Sequence, residues 1–283
     1  MTSILTLAFA NPAEFMQAVP GIEANTTFES LNASAVAAKK DMVALLTLDV
    51  WTEAVSDDDN KQLLQIAWAN LTMYKHVIFT VMKARMTNDK QIYKPEREEM
   101  RRQYIDNYYS AMDSLIEAVS SSDAWKQTNY YKLQDKLIIK TIADFESYYP
   151  IDNSYLFFYR TMAIQRRTLI AEGFDQSYSM IANRDDLKDK MNTAFVLYVV
   201  SLAAAQFDPI ALPPTIRDMI SDNNSSGGSI DKEAKTRDLA ASLAKQSMDI
   251  VRSIETALST PTSDSFASDE DFQQHGDKYL LIP

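Results

Sequence analysis

The sequence predicts an all-α protein, a multi-helix bundle with short loops. Three observations predict it. Glycine occurs only 5 times in 283 residues, whereas doubly wound α/β folds and β-sandwiches use it at many tight turns. Apolar residues recur at helical spacing, as in Leu63, Ala67, Leu71, Tyr74, Ile78 and Met82. Capping residues and acids precede such stretches, as in Asp57-Asp58-Asp59 and in Pro95 with Glu96, Glu98 and Glu99.

The elements follow in order. Residues 1–10 are read as mature sequence containing a short strand. Ala8-Phe9-Ala10 mimics a signal-peptide cleavage site, but no basic segment precedes it. Asn11-Pro12 opens a short helix that Pro20-Gly21 ends. A second helix is expected over 28–55, with a break at 39–41. A third runs from 60 to 86, and Leu64, Trp68, Val77 and Val81 widen its stripe enough to make it central. After the polar loop Thr87–Tyr93, a helix starting at Pro95 carries Tyr104, Tyr108, Met112, Leu115 and Val119 inward and closes at Ser120-Ser121-Ser122. Trp125 is placed in a connection. One helix is expected over 130–148, with Leu133, Leu137 and Ile138 inward.

Pro150-Ile151-Asp152-Asn153-Ser154 reads as a sharp break, followed by a helix over 155–171 that Gly173 ends. A helix capped near Asp185 continues to Gln206. Its apolar run Ala194–Ala205 falls short of the ~20 residues a membrane span needs, so it is assigned to the core. Pro209, Pro213 and Pro214 mark a kinked passage before a turn or two of helix over 215–220. The domain reading is a helical core over 1–222, a linker or surface loop over 223–230, a C-terminal helix over 231–259 and an extended acidic arm over 260–283. The arm ends in Tyr279, Leu280, Leu281 and Ile282, four apolar residues read as an interface anchor.

Charge and composition narrow the function classes. A formal net charge of −11 opposes binding to a nucleic-acid backbone or an anionic membrane. The absence of cysteine removes disulfides, zinc–thiolate sites and thiol nucleophiles. His76 and His275 are the two histidines, and neither stands in a Glu-x-x-His or His-Glu-x-x-His pattern. His76 is therefore read as a core or boundary residue. Gly227-Gly228 lacks the Lys-Ser/Thr of a phosphate loop. Glu96/Glu99 and Asp185/Asp189 lie at helix starts, where acids favour the dipole without a catalytic role. The tyrosine-rich clusters, such as Tyr104-Tyr108-Tyr109 and Tyr155-Phe157-Phe158-Tyr159, read first as core packing and second as a protein-binding surface. The chain is thus read as non-enzymatic, with no catalytic residue, metal or cofactor.

Residues 60–170 carry a run of features in a particular order. These are Leu63-Leu64-Gln65-Ile66-Ala67-Trp68-Ala69-Asn70-Leu71, the polar loop, and an Arg-rich helix passing into Ser-Ala-Met-Asp-Ser-Leu at 110–115. Trp125, Leu-Ile-Ile-Lys-Thr-Ile-Ala-Asp-Phe at 137–145 and Tyr149-Pro-Ile-Asp-Asn-Ser154 complete it. This order, over about two fifths of the chain, resembles an uncharacterised family of helical proteins encoded beside structural genes of Bacteroides-type phages and prophages. The resemblance implies a virion protein assembled in the host cytoplasm, of the head–tail connector or neck type. It would form a homo-oligomeric ring, contact portal or tail proteins, and meet DNA only as passing cargo. The alternative is a monomeric helical adaptor for a protein or small ligand, which a deep apolar pocket would favour.

Overall fold

The computed structural model describes residues 3–19, 22, 26–86, 94–220 and 229–259. Among these residues the chain is built from α-helices, with 3-10 turns at Ile4–Leu7 and Pro209–Ala211 and no strand. The α-helices are α1 (Pro12–Ala18), α2 (Phe28–Ser56), α3 (Asp58–Met86), α4 (Lys94–Val119), α5 (Asp123–Lys126) and α6 (Asn129–Gln134). They continue with α7 (Ile142–Tyr148), α8 (Tyr155–Ala171), α9 (Phe174–Met180), α10 (Asp185–Gln206), α11 (Pro214–Ile220) and α12 (Ser229–Ser259).

The expected N-terminal strand is instead the 3-10 turn. Ser3 caps it, and the Asn32 side chain of α2 accepts from Ile4 N at 2.9 Å, which ties the segment to a helix rather than to a sheet edge. Asn11 caps α1 through Glu14 N, as the Asn-Pro pair foretold. The helix over 28–55 runs unbroken through 39–41. Its irregularity lies at Thr47, whose φ of 68° and ψ of 166° fall in a region essentially reserved for glycine.

Asp57 alone separates α2 from α3. Its carboxylate accepts from Asn60 N at 2.9 Å and its carbonyl from Lys61 N at 2.8 Å, so one residue ends one helix and starts the next. The resulting hairpin closes on Trp68, which is fully buried. Its indole Nε1 donates to the Ala35 carbonyl at 3.0 Å and its ring meets Trp51 edge-on at 5.1 Å. Helix α4 packs along the other side of α3, confirming α3 as central.

Three further expectations are corrected. Trp125 belongs to the short helix α5 and is buried against Tyr159. The expected helix 130–148 is two helices, because Thr141 caps a new start at Ile142 through Asp144 N. Between them Leu137 is buried while Ile138 is exposed, so Ile138 does not face inward. Gly173 does follow α8, in the left-handed conformation at φ 77° that glycine takes at no steric cost, but it also starts α9.

The second half is organised on α10, which has buried residues along its whole length, from Leu187 to Ala204. Helix α12 packs along it and α8 lies beside it, while α4 touches α8 and joins the two halves. Leu243 and Ile254 of α12 share one continuous core with α2, α3 and α10, so the expected C-terminal helix is part of the same body. It starts at Ser229, two residues inside the expected linker; residues 223–228 and the arm 260–283 lie outside the described residues.

Candidate functional site

Charged and polar side chains meet where α4, the turn before α8 and the segment leading into α11 converge. A cleft of about 310 Å³ opens there, lined among others by Asp106, Tyr109, Asp113, Asp152, Ser154 and Arg217. Asp152 and Asn153 adopt positive φ of 57° and 51°, which short amide and carboxylate side chains tolerate. Glu146 stabilises this turn by accepting from Ile151 N and Asn153 N at 2.9 and 3.1 Å. The turn places Ser154 as the cap of α8, accepting from Phe157 N at 3.2 Å.

Three carboxylates then tie the segments together. Asp113 of α4 accepts from Leu156 N at 2.7 Å and from the Ser154 hydroxyl at 3.2 Å, so one helix caps another. Asp152 accepts from Thr215 N at 2.8 Å and from the Thr215 hydroxyl. Asp106 pairs with Arg217 at 2.6 Å. Behind them, the Arg160 guanidinium donates to the Tyr109 hydroxyl at 2.7 Å, and that hydroxyl donates to the Ala211 carbonyl at 2.6 Å. Arg160 also stacks over Phe207, 4.3 Å from the ring centre.

Burial dominates the electrostatics. It pushes the Asp113 carboxyl up to about 6, against the lowering effect of its two hydrogen bonds. It pushes the Tyr109 hydroxyl up to about 12, with Arg160 acting in the opposite sense. Asp113 can therefore exchange a proton close to neutral pH, while Tyr109 stays neutral. The Ser154 hydroxyl beside Asp113 already donates to the carboxylate and accepts from Phe157 N. The arrangement acts first as a clasp holding α4, α8 and α11 in register.

No protein-family model, curated protein or solved structure matches the chain.

A second cavity of about 330 Å³ lies between α1 and the start of α3, lined among others by Glu14, Asp58, Lys61 and Gln65. There Gln65 Nε2 donates to the Ala8 carbonyl and to Glu14, both at 2.6 Å, and anchors the N-terminal segment. The backbone N–H of Ala10 holds the Glu14 carboxyl below its ordinary value. Both cavities are rich in polar and charged side chains, unlike the deep apolar pocket that the adaptor alternative asks for. Among the described residues, no group of three or more His, Asp or Glu side chains is placed to hold a metal ion.

The residues singled out from sequence fall as follows. Tyr279, Leu280, Leu281 and Ile282 lie outside the described residues, as does His275. His76 is half-buried, with Ser34 Oγ 3.4 Å from its Nδ1. Glu96 lies in the first turn of α4 and Asp185 in the first turn of α10, where dipole-matching acids are expected. Asp189 accepts from the Tyr148 hydroxyl at 3.1 Å. Tyr104 and Tyr108 are buried, as the packing reading requires. No local pattern in the sequence pairs Asp113 with Ser154, 41 residues on, Asp152 with Thr215, 63 residues on, or Asp106 with Arg217. The one available signal was Asp152-Asn153, a pair suited to positive φ just before a helix cap.

Proposed function

We propose that the protein is a non-enzymatic structural virion component, a head–tail connector or neck-ring subunit that works through protein–protein contacts. One observation carries this reading. A helical body with a continuous core is followed by residues 260–283, in which Asp264, Asp269, Glu270, Asp271 and Asp277 precede the apolar end Tyr279-Leu280-Leu281-Ile282. Four adjacent apolar side chains gain most by burial against another surface. A neighbouring copy supplies that surface if the contact is heterologous and closes on rotation. The resemblance of residues 60–170 to phage-encoded helical proteins gives the reading its location in the virion, with portal or tail proteins as partners. The net charge of −11 would let DNA pass a lumen without sticking.

The test is the solution mass by light scattering, for the full chain and for a chain ending at Ser259, alone and with portal protein. The reading expects a discrete ring, formed alone or on the portal, that the shortened chain fails to form. A full-length chain that stays monomeric with every virion partner would overturn it. That outcome would move the reading to the monomeric helical adaptor.

A further inference from the structure

Helix α8 carries a polar stripe inside the protein. Thr161, Gln165 and Thr168 lie at i, i+4 and i+7, so they share one helical face. Their exposures are 0%, 1% and 0%. The Thr161 hydroxyl donates to the Phe158 carbonyl at 2.7 Å within its own helix. Both amide atoms of Gln165 and the hydroxyl of Thr168 meet no hydrogen-bonding group of the protein. Three such atoms on adjacent turns are uncommon, because buried polar groups are satisfied in the great majority of cases.

We infer that Gln165 and Thr168 form a binding site for an ordered internal water in the core between α8 and its neighbours. The geometry suits a bridging molecule. Side chains three residues apart on a helix stand about 5–6 Å apart at Cβ, within reach of one shared water. A buried water makes about three hydrogen bonds, and a site lined by polar groups holds one where an apolar cavity stays dry. The Gln165 amide N–H donates to the water, the water donates to the Thr168 oxygen, and the Gln165 carbonyl oxygen accepts from the same water or a second one. Met162 and Ile164 beside it are also buried, so the site lies inside the core. The water is therefore a fixed part of the core that exchanges slowly with solvent. This site is independent of the proposed virion role.

The test uses the full chain, the near-isosteric variants Gln165→Met and Thr168→Val, and their combination. Long-lived internal water is counted by magnetic relaxation dispersion, and stability is followed by thermal unfolding. The count should fall by at least one water from the natural chain to the double variant. Each single change strands the other groups, so each should raise the unfolding constant on the order of tenfold. The double change should cost less than the two singles together. An unchanged water count in the double variant would overturn the inference. So would single variants that each unfold at higher temperature with additive effects, because that pattern belongs to polar groups buried without any partner.

Discussion

Asp113 shows how much one side chain's surroundings decide. Its residue type and its place in a helix suggest an exposed acid, yet burial lifts its carboxyl from 3.8 to about 6. The folded protein holds this proton more tightly than the unfolded chain does. The stability it contributes is complete below pH 3.8 and is lost as pH rises through about 6. Asp113→Asn keeps an acceptor for Leu156 N and has no charge to desolvate. The variant should gain on the natural protein between pH 4 and pH 7 by about 1–3 kcal/mol, as read from urea unfolding at both values. Parallel pH profiles would show that Asp113 titrates as an ordinary aspartate. Thr47 is the other residue whose conformation its type does not foretell. A β-branched residue held at that φ and ψ costs about 1–3 kcal/mol. Thr47→Gly should therefore stabilise the protein by about 1 kcal/mol after the entropy cost of glycine, which a raised melting temperature would report.

At the scale of elements, starts and stops were the most legible features. Asn11, Asp57 and Ser154 all act at helix starts, because a capping side chain needs only the amides two or three residues ahead. Ser154→Ala removes both the cap of α8 and a partner of Asp113, and it should lower stability by about 1–2 kcal/mol in chemical denaturation. The split between α6 and α7 has no signal in the apolar spacing of Leu133, Leu137 and Ile138, which suits a helix and says nothing of the chain turning between them. Trp68 lies in the α3 stripe that its spacing predicts, but its contacts with Ala35 and Trp51 belong to the hairpin. Trp68→Ala should cost about 3–5 kcal/mol, far more than truncation of the exposed Ile170 or Leu48, and the comparison by thermal unfolding checks which face each helix buries.

Across the whole molecule, α4 joins a hairpin-based N-terminal half to a second half assembled on α10. The clasp around Asp106, Asp113 and Asp152 sits at that joint, so its substitutions should affect the cohesion of the two halves more than either half alone. The chain ending at Ser259 keeps α12 and the described core. It should retain its far-UV helical signal and melting temperature even where assembly is lost. A large fall in helical signal would mean that residues 260–283 complete the fold rather than serve a partner.

The helical class, the order of the long helices and caps such as Asn11 and Asp57 could be derived from the amino-acid sequence alone, because glycine scarcity, 3.6-residue periodicity and capping chemistry act over a few neighbouring residues. The interior positions of Tyr104 and Tyr108 followed in the same way from their place in the apolar stripe of α4. Only the tertiary structure decided that Ser154 and Thr215 meet carboxylates 41 and 63 residues away in the chain, and that Gln165 faces inward. Those features arise from how helices dock. Docking depends on the summed shape and burial of many side chains, and it moves a pKa or closes a cleft only after distant segments have come together.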